Sequence, residues 1–566
     1  MATFRLNEAR GIPDLREMLW ASGGMYATCA AIHEKKDGIY QHVSFGKLRE
    51  ETEALGTALA GRLPKAPRVL IVGKNSYVWA LFYLSLVCGA GIPIPVDAEI
   101  DAKGLAAIAR DAHANAVVYA PEQAKKLAAL PGLAAISFAS AAGLVAEGKR
   151  LIAAGDKRFV NRDIDPKAPA AVFYTSGTTG RPKGVVLSHQ NIAAVLMQMK
   201  KMQGVGEEDI FLSVLPLSHV YECVLGLLFP LYCGASVAFA EGMHTLMRNM
   251  REMRPTAMVT IPFIAEAIYE KFWSLARARG SETRVRRAIA TSDPVRPLAA
   301  RQAMKERLLA ADRAPFGGRL ARMLVVGEFL DPAVQKGLRQ IGIFTVQGYG
   351  ITECAGLAAL GTEDVYRDGT AGVALVDGLL DIYNKQEDGS GEIRYKGENV
   401  MLGYYNNPAL TAKAVRGEWY YTGDYGYLDA DGFLHIMGRR ENCIEKADGK
   451  LVCPEELEVL LRQSPFIKDA VVVGVLSDSG KDTEPAALIY PDVQHAREML
   501  GVDYTAEELE VAVGEWVGEV NKELPPHKQI PLLALRDSAF PRTAAGRILR
   551  GALASELAAA REEPQG

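Results

Sequence analysis

Residues 174 to 185 read Tyr-Thr-Ser-Gly-Thr-Thr-Gly-Arg-Pro-Lys-Gly-Val, straight after the apolar run Ala170 to Phe173. The run reads as a short strand. In the loop after it, Gly177, Gly180 and Gly184 let backbone N–H groups turn outward, because glycine accepts positive φ. The hydroxyls of Thr175, Ser176, Thr178 and Thr179 add donors, and Lys183 adds a point charge. Such a loop suits a polyphosphate. A Walker A loop needs glycine, four residues and then Gly-Lys-Ser/Thr. Here the lysine follows Arg181-Pro182, so the spacing excludes that reading.

Outward from this loop, short apolar runs alternate with longer helical patterns. The runs are Val69–Val72, Ala116–Tyr119, Ala170–Tyr174, Ser213–Leu215, Ala257–Ile261, Met323–Val326 and Phe344–Gln347. This alternation indicates α/β architecture with parallel sheets and crossover helices. From Gly372 to Tyr404 the texture changes to short strands with Gly and Asp turns, a smaller β-rich unit. From Arg439 a third texture begins, with PEELEVLLRQ, DAVVVGVLSD, EPAALIY and a helix over 505–524, which reads as a compact α+β unit.

At 566 residues the chain is too long for one core and is expected to hold two to four subdomains. Apolar residues make up 49% and charged residues 23%, ordinary for a globular protein. A net charge of −4 implies no general attraction to nucleic acid or anionic membrane. The seven cysteines are scattered without a C-x-x-C pair, which argues against a disulfide framework or a zinc site. The first residues lack a basic-then-apolar layout, so a cytoplasmic address is expected. Tyr77 to Val96 carries no charge, but Gly89, Gly91, Pro93 and Pro95 break it. A buried helix to about Cys88, a turn and a strand Ile92–Val96 fit better than a membrane span.

Three further strings follow in order. Leu215-Pro-Leu-Ser-His219-Val-Tyr-Glu222 precedes an apolar stretch, Cys223 to Tyr232. Gln347-Gly348-Tyr349-Gly350-Ile-Thr352-Glu353 ends a strand in glycines that let a ligand approach the backbone. Its tyrosine can stack on a base, Thr352 can donate to phosphate, and Glu353 offers a hard oxygen for Mg²⁺. Tyr421-Thr-Gly-Asp424 supplies a carboxylate able to accept two ribose hydroxyls, and Gly438-Arg439 follows.

Together with the 174–185 loop, these strings closely resemble those of the acyl-adenylating superfamily, which includes acyl-CoA synthetases, firefly luciferase and peptide-synthetase adenylation domains. LPLSHVYE and Arg254 to Phe272 look most like synthetases of long or medium fatty acids. The resemblance runs from about Val43 through Leu549. It implies a large N-terminal domain (1–438) of two α/β sheet subdomains plus a small β-rich subdomain, then a mobile α+β C-terminal lid (439–566).

It also implies roles. Lys183, His219, Thr352, Glu353 and Arg547 would be catalytic. Thr175, Ser176, Gly177, Thr178, Thr179, Gly180, Gly327, Gln347, Gly348, Tyr349, Gly350, Asp424 and Arg439 would bind ATP or AMP, with Thr175 and Glu353 as magnesium ligands. Glu441 would be the hinge, and Gly449 and Lys450 would meet the pantetheine arm of CoA. The implied reaction joins a fatty acid to AMP with release of pyrophosphate and then passes the acyl group to CoA. Loading of an acyl carrier protein, or an impaired nucleotide- or acyl-binding homologue, is the alternative. Peripheral membrane contact and monomer versus homodimer stay open, and no nucleic acid is implied.

Two strings depart from the family pattern. In Pro541-Arg-Thr-Ala-Ala-Gly-Arg547 an arginine stands where the family has a lysine, keeping the charge on a longer, planar fork. In Val325-Val-Gly327-Glu328-Phe329 the loop is one residue short, and a bulky phenylalanine takes a place the family gives to a small residue.

Overall fold

The computed structural model describes residues 6–176, 182–295, 297–477, 480, 482–541, 548, 550, 553 and 557. Two compact units interleave along the chain. The first takes Met1–Leu380, Tyr395–Tyr421 and Asp429–Leu434; the second takes Asp381–Arg394, Thr422–Leu428 and His435–Gly566.

In the first unit a nine-stranded sheet runs, from one edge, Val373–Ala374, Ala359–Leu360, Phe344–Tyr349, Arg322–Val325, Ala257–Thr260, Ile210–Ser213, Ser236–Phe239, Ala30–Lys36 and Ile39–Ser44. The six strands from Phe344–Tyr349 to Ala30–Lys36 pair in parallel, and both edges finish antiparallel. Ala257–Thr260 and Ser236–Phe239 are buried at every position, as expected for parallel strands covered on both faces. A second, fully parallel sheet orders Ile92–Val96, Arg68–Val72, Ala116–Tyr119 and Ala134–Ser137. A third is antiparallel, with Gly403–Tyr404, Pro182–Ser188 and Pro169–Ser176.

The expected α/β class and paired parallel sheets are therefore present. The uncharged stretch over 77–96 becomes a helix at Tyr77–Ser85, a wider π turn at Leu86–Ala90 and the strand Ile92–Val96. Gly89 makes that break with φ +137°, a conformation L side chains rarely adopt. Among the described residues, no helix is long and apolar enough to cross a membrane.

One expected strand lies elsewhere. It forms at Ile210–Ser213, in register with Ser236–Phe239, rather than over Ser213–Leu215. The Asn75 amide takes the backbone just beyond it, donating to Leu215 O at 2.7 Å and accepting from Leu217 N at 2.8 Å. Those groups are satisfied by a side chain, and the chain leaves the sheet there.

A five-stranded sheet comprises Leu379–Tyr383, Gly391–Lys396, Trp419–Leu428, Val415–Arg416 and Leu434–Arg439. In the second unit, Ile467–Leu476, Thr483–Pro491 and Leu532–Leu535 form a three-stranded sheet. Its strands alternate faces. Ala470, Val472, Ala487 and Ile489 pack with Leu457, Leu461, Val513 and Val517, while Val471, Val473, Ala486 and Leu488 pack with Phe540, Leu553 and Leu557. The helix Ala506–Glu523 starts at a capping box, Thr505 with Glu508.

Candidate active site

In the nine-stranded sheet the carboxyl ends of neighbouring parallel strands collect the sequence motifs. Gly327 follows Arg322–Val325, Gly350 follows Phe344–Tyr349, and His219 follows Ile210–Ser213 after a short loop. Ligands of open parallel sheets bind at that end, because strand ends and the loops after them leave a crevice there. Tyr221 joins the motifs: its hydroxyl donates to Gly350 O, and its ring lies 3.7 Å from where a Gly327 Cβ would stand.

Gly350 has no room for a side chain. A Cβ would sit 1.9 Å from Gly356 O, so the turn closes only with glycine. Past it, Thr352 and Glu353 open a single 3₁₀ turn, Thr352–Cys354, with Thr352 buried and Glu353 half-buried. The buried Asn399 amide holds the turn, donating to Cys354 O at 3.1 Å and Leu357 O at 2.7 Å while accepting from the Tyr395 hydroxyl at 2.9 Å. The Tyr404 hydroxyl donates to Glu353 Oε1 at 2.8 Å. Burial, with the carboxylate beside it, raises the Tyr404 phenol well above its ordinary range.

Tyr404 belongs to the antiparallel sheet that carries the 174–185 string. It pairs with Val185, and Thr175 pairs with Lys183 on the neighbouring strand. Directly opposed residues share a face, so the Thr175 and Lys183 side chains leave the strand pair on the same side, both half-buried. Tyr174 points to the other face, where its hydroxyl donates to Asp111 Oδ2 at 2.6 Å. Gly177, Thr178, Thr179, Gly180 and the Ser176 side chain lie outside what is described, as does Arg547.

His219 is exposed; its Nδ1 accepts from Tyr221 N at 3.3 Å, and the two rings lie 4.5 Å apart between centroids. Gln347 is buried and tied to the neighbouring loop: Oε1 accepts from Leu330 N at 3.1 Å and Nε2 donates to Glu328 O at 3.4 Å. Tyr349 is buried, and Phe329 is half-buried. A Gly348 Cβ would stand 2.9 Å from Leu357 and 3.1 Å from Leu324, so the strand there lies close against its neighbours. On the Leu324 face an apolar cavity is lined by Met199, Phe211, Phe229, Leu324, Val346 and Leu360. Close by in sequence, Glu222 is buried, and burial, against the lowering effect of Ser213 and Leu215, pushes its pKa up to about 8.

In the second unit Asp424 is buried and forms an ion pair with Arg439, Oδ1 to Nε at 2.9 Å. The Thr422 hydroxyl, itself bonded to Ile393 O at 2.7 Å, accepts from Asp424 N at 3.0 Å and fixes the turn. Glu441 lies in the 3₁₀ turn Arg440–Asn442. Gly449 and Lys450 lie in the hairpin between Ile444–Glu445 and Leu451–Val452, where Lys450 pairs with Asp448 at 2.8 Å.

Sequence reasoning missed three residues: Tyr221, Asn399 and Tyr404. The phenol in LPLSHVYE was visible, but its acceptor lies 129 residues on. Tyr404 stood in a stretch read only as β texture, and its acceptor is 51 residues away.

A magnesium ion accompanying a nucleotide would fit this chemistry. The ion keeps several waters and takes one or two protein carboxylates plus phosphate oxygens. Among the described residues there is no cluster of three or more acidic, histidine or cysteine ligands, whereas Glu353 offers a single oriented carboxylate.

This fold is that of the adenylate-forming enzymes. The crystal structure of the anthranilate CoA ligase AuaEII in complex with anthranoyl-AMP superposes with a TM-score of 0.74 over 97% of this chain and 98% of that one, at 19% identity. The sequence profile of the AMP-binding enzyme family matches residues 24–405, and that of the AMP-binding enzyme C-terminal domain matches 441–562. Long chain acyl-CoA synthetase 1 of Arabidopsis thaliana is 28% identical over 489 residues, 78% of this chain and 73% of that protein. The long-chain-fatty-acid–CoA ligase FadD15 of Mycobacterium bovis is 27% identical over 469 residues, 77% and 76% of the two chains. The chain belongs to the AMP-binding enzyme family.

Proposed function

We propose that this protein is an ATP-dependent fatty acyl-CoA ligase that activates a long-chain acid as its acyl-AMP. The observation that carries the reading is the tie between Tyr404 and Glu353, which joins the strand pair bearing Thr175 and Lys183 to the Thr352–Glu353 turn. A phosphate-binding hairpin and a metal-binding carboxylate held to one another are what phosphoryl chemistry on ATP requires. An apolar acyl chain would be held by burial, each buried methylene contributing about 0.8 kcal/mol.

In this reading Thr175, Lys183 and the glycine-rich loop hold the β- and γ-phosphates, so pyrophosphate departs from a fixed position. The acid's carboxylate oxygen attacks the α-phosphorus, and the bond to the pyrophosphate oxygen breaks. Thr352 donates to the α-phosphate, and Arg547 supplies positive charge where negative charge develops. Glu353 and Thr175 would hold Mg²⁺, which when bound would neutralise phosphate charge. Asp424 receives the ribose hydroxyls, with Arg439 beside it. Residues 439–566 then act as a lid turning at Glu441, and the CoA thiol, guided by Gly449 and Lys450, displaces AMP.

The reading is tested by pyrophosphate release from purified protein with Mg-ATP and acids from acetate to palmitate, with and without CoA. Turnover that needs CoA and peaks at long chains is expected. Pyrophosphate release that CoA does not accelerate would overturn the CoA ligase in favour of a carrier-protein ligase. Arg547 favours a second reading, a homologue impaired in adenylation. Silence with every acid, relieved by Arg547→Lys, would establish it.

A further inference from the structure

Across the hairpin of the second unit, Cys443 Sγ and Cys453 Sγ lie 3.2 Å apart. The hairpin pairs Ile444 with Val452 and Glu445 with Leu451, so the cysteines are the next opposed positions beyond the ladder. Opposed residues of antiparallel strands place their Cα atoms about 4.5–5.5 Å apart. That lies inside the range of about 4.4–6.8 Å that a disulfide spans, and the sulfurs need only close to about 2.05 Å. Cys453 is buried and Cys443 half-exposed, and both carry free thiols. Neither has a part in the reaction proposed above.

Their position gives the pair a consequence. Cys443 directly follows the turn Arg440–Asn442 that holds Glu441, and its thiol contacts Arg439 O at 3.4 Å. Cys453 caps the helix Pro454–Leu461 and packs with Tyr425 and Met437. Tyr425 directly follows Asp424 in the chain. The pair thus links the segment from Arg439 through Glu441 to the far side of the loop carrying Gly449 and Lys450.

We propose that Cys443 and Cys453 form an oxidisable dithiol, a modification site for peroxides and small-molecule disulfides, whose disulfide form immobilises the segment around Glu441. The cross-link stands on geometry alone, whereas its effect on turnover rests on the reaction proposed above. The neighbouring Cys443 thiol and burial both hold Cys453 protonated, so the half-exposed Cys443 reacts first. Its thiolate attacks a peroxide oxygen, the O–O bond breaks, and a sulfenic acid and hydroxide form. The Cys453 sulfur then attacks the sulfenic sulfur and forms the S–S bond; hydroxide leaves and takes the Cys453 proton as water. Two thiols and one peroxide become one disulfide and two waters. A small disulfide reaches the same product by two exchanges and departs as two thiols. A reducing dithiol reverses either route.

The test treats the full chain with hydrogen peroxide or oxidised glutathione, blocks remaining thiols and digests with trypsin. Lys446 and Lys450 lie between the cysteines, so cleavage separates them unless a disulfide joins the peptides. The expected result is a linked peptide pair, slower tryptic cleavage after Arg439 and Arg440, and CoA-dependent turnover lower by about tenfold or more, restored by dithiothreitol. Cys443→Ser and Cys453→Ser should each abolish the linkage and keep turnover insensitive to oxidant. If Cys453→Ser fails to fold, the half-exposed Cys443→Ser carries the comparison. Absence of the linked pair overturns the proposal, and so does linkage with unchanged cleavage and turnover. A reduced protein silent with every acid would refute the ligase reading, while linkage and cleavage would still decide the dithiol.

Discussion

The Tyr404 hydroxyl lies 2.8 Å from Glu353 Oε1, while the backbone of the same tyrosine pairs with Val185, two residues beyond Lys183. With Met401 N donating to Glu353 O at 2.8 Å and Asn399 holding the same turn, this side chain ties the strand pair of the glycine-rich loop to the carboxylate proposed to hold Mg²⁺. A hydrogen bond to a charged acceptor contributes about 1.5–3 kcal/mol, enough to favour one orientation of the carboxylate.

Tyr404→Phe removes that bond and little volume. The Mg²⁺ concentration for half-maximal pyrophosphate release should rise by about tenfold, corresponding to about 1.4 kcal/mol. Chain-length preference should not move. A magnesium titration of the variant checks this, and an unchanged midpoint would show that Tyr404 does not position Glu353.

Gly350→Ala drives a methyl to within 1.9 Å of Gly356 O. Overpacking of this kind costs about 1–3 kcal/mol and displaces the turn that carries Thr352 and Glu353. We expect a lower melting temperature and pyrophosphate release down by at least about tenfold, since small misplacements of reacting groups are costly. Calorimetry and the release assay together read both effects.

Asp424→Asn keeps the shape of the side chain but ends its ion pair with Arg439. Loss of the charged acceptor proposed for the ribose hydroxyls should weaken AMP binding by about 10- to 100-fold, following the 1.5–3 kcal/mol scale of such bonds. Isothermal titration with AMP measures it directly. Affinity within twofold of the parent would remove Asp424 from the nucleotide site.

Glu222 predicts a pH dependence of stability. Burial raises its folded pKa from 4.5 to about 8, partly offset by the nearby Ser213 and Leu215. Between those values the folded carboxyl keeps a proton that the unfolded chain releases. Stability from this group is thus complete below pH 4.5 and is lost as pH rises toward 8. Glu222→Gln cannot ionise, so it should flatten the decline and exceed the parent at pH 8 by on the order of a few kcal/mol. Urea unfolding at pH 5 and pH 8 tests the sign; equal pH slopes in both proteins would contradict it.

The parts legible in the sequence are those written in local chemistry. Gly89 with Gly91 and the prolines had to end a helix, and the helix read over 505–524 forms at Ala506–Glu523. The Gly-Tyr-Gly turn before Thr352 and Glu353 was readable because glycine there has a steric cause within a few residues. The strand over Ser213–Leu215 was not, because Asn75, 140 residues upstream of Leu215, takes those backbone groups. Nor was the partner of the Gln347 amide legible: it bonds the Glu328–Leu330 backbone, brought near only when parallel strands align.

By itself the sequence determined the α/β class, the order of the motifs and the residue types at each. Hydrophobic periodicity, glycine sterics and charge act over a few residues and are present before any fold forms. Only the tertiary structure decided which groups meet: Tyr404 with Glu353, Tyr221 with Gly350, Asp424 with Arg439, Cys443 with Cys453. Those pairings depend on strand register and on chain segments returning from a distance. A hydrogen bond or a sulfur contact is made or lost within about an ångström, far finer than sequence spacing can specify.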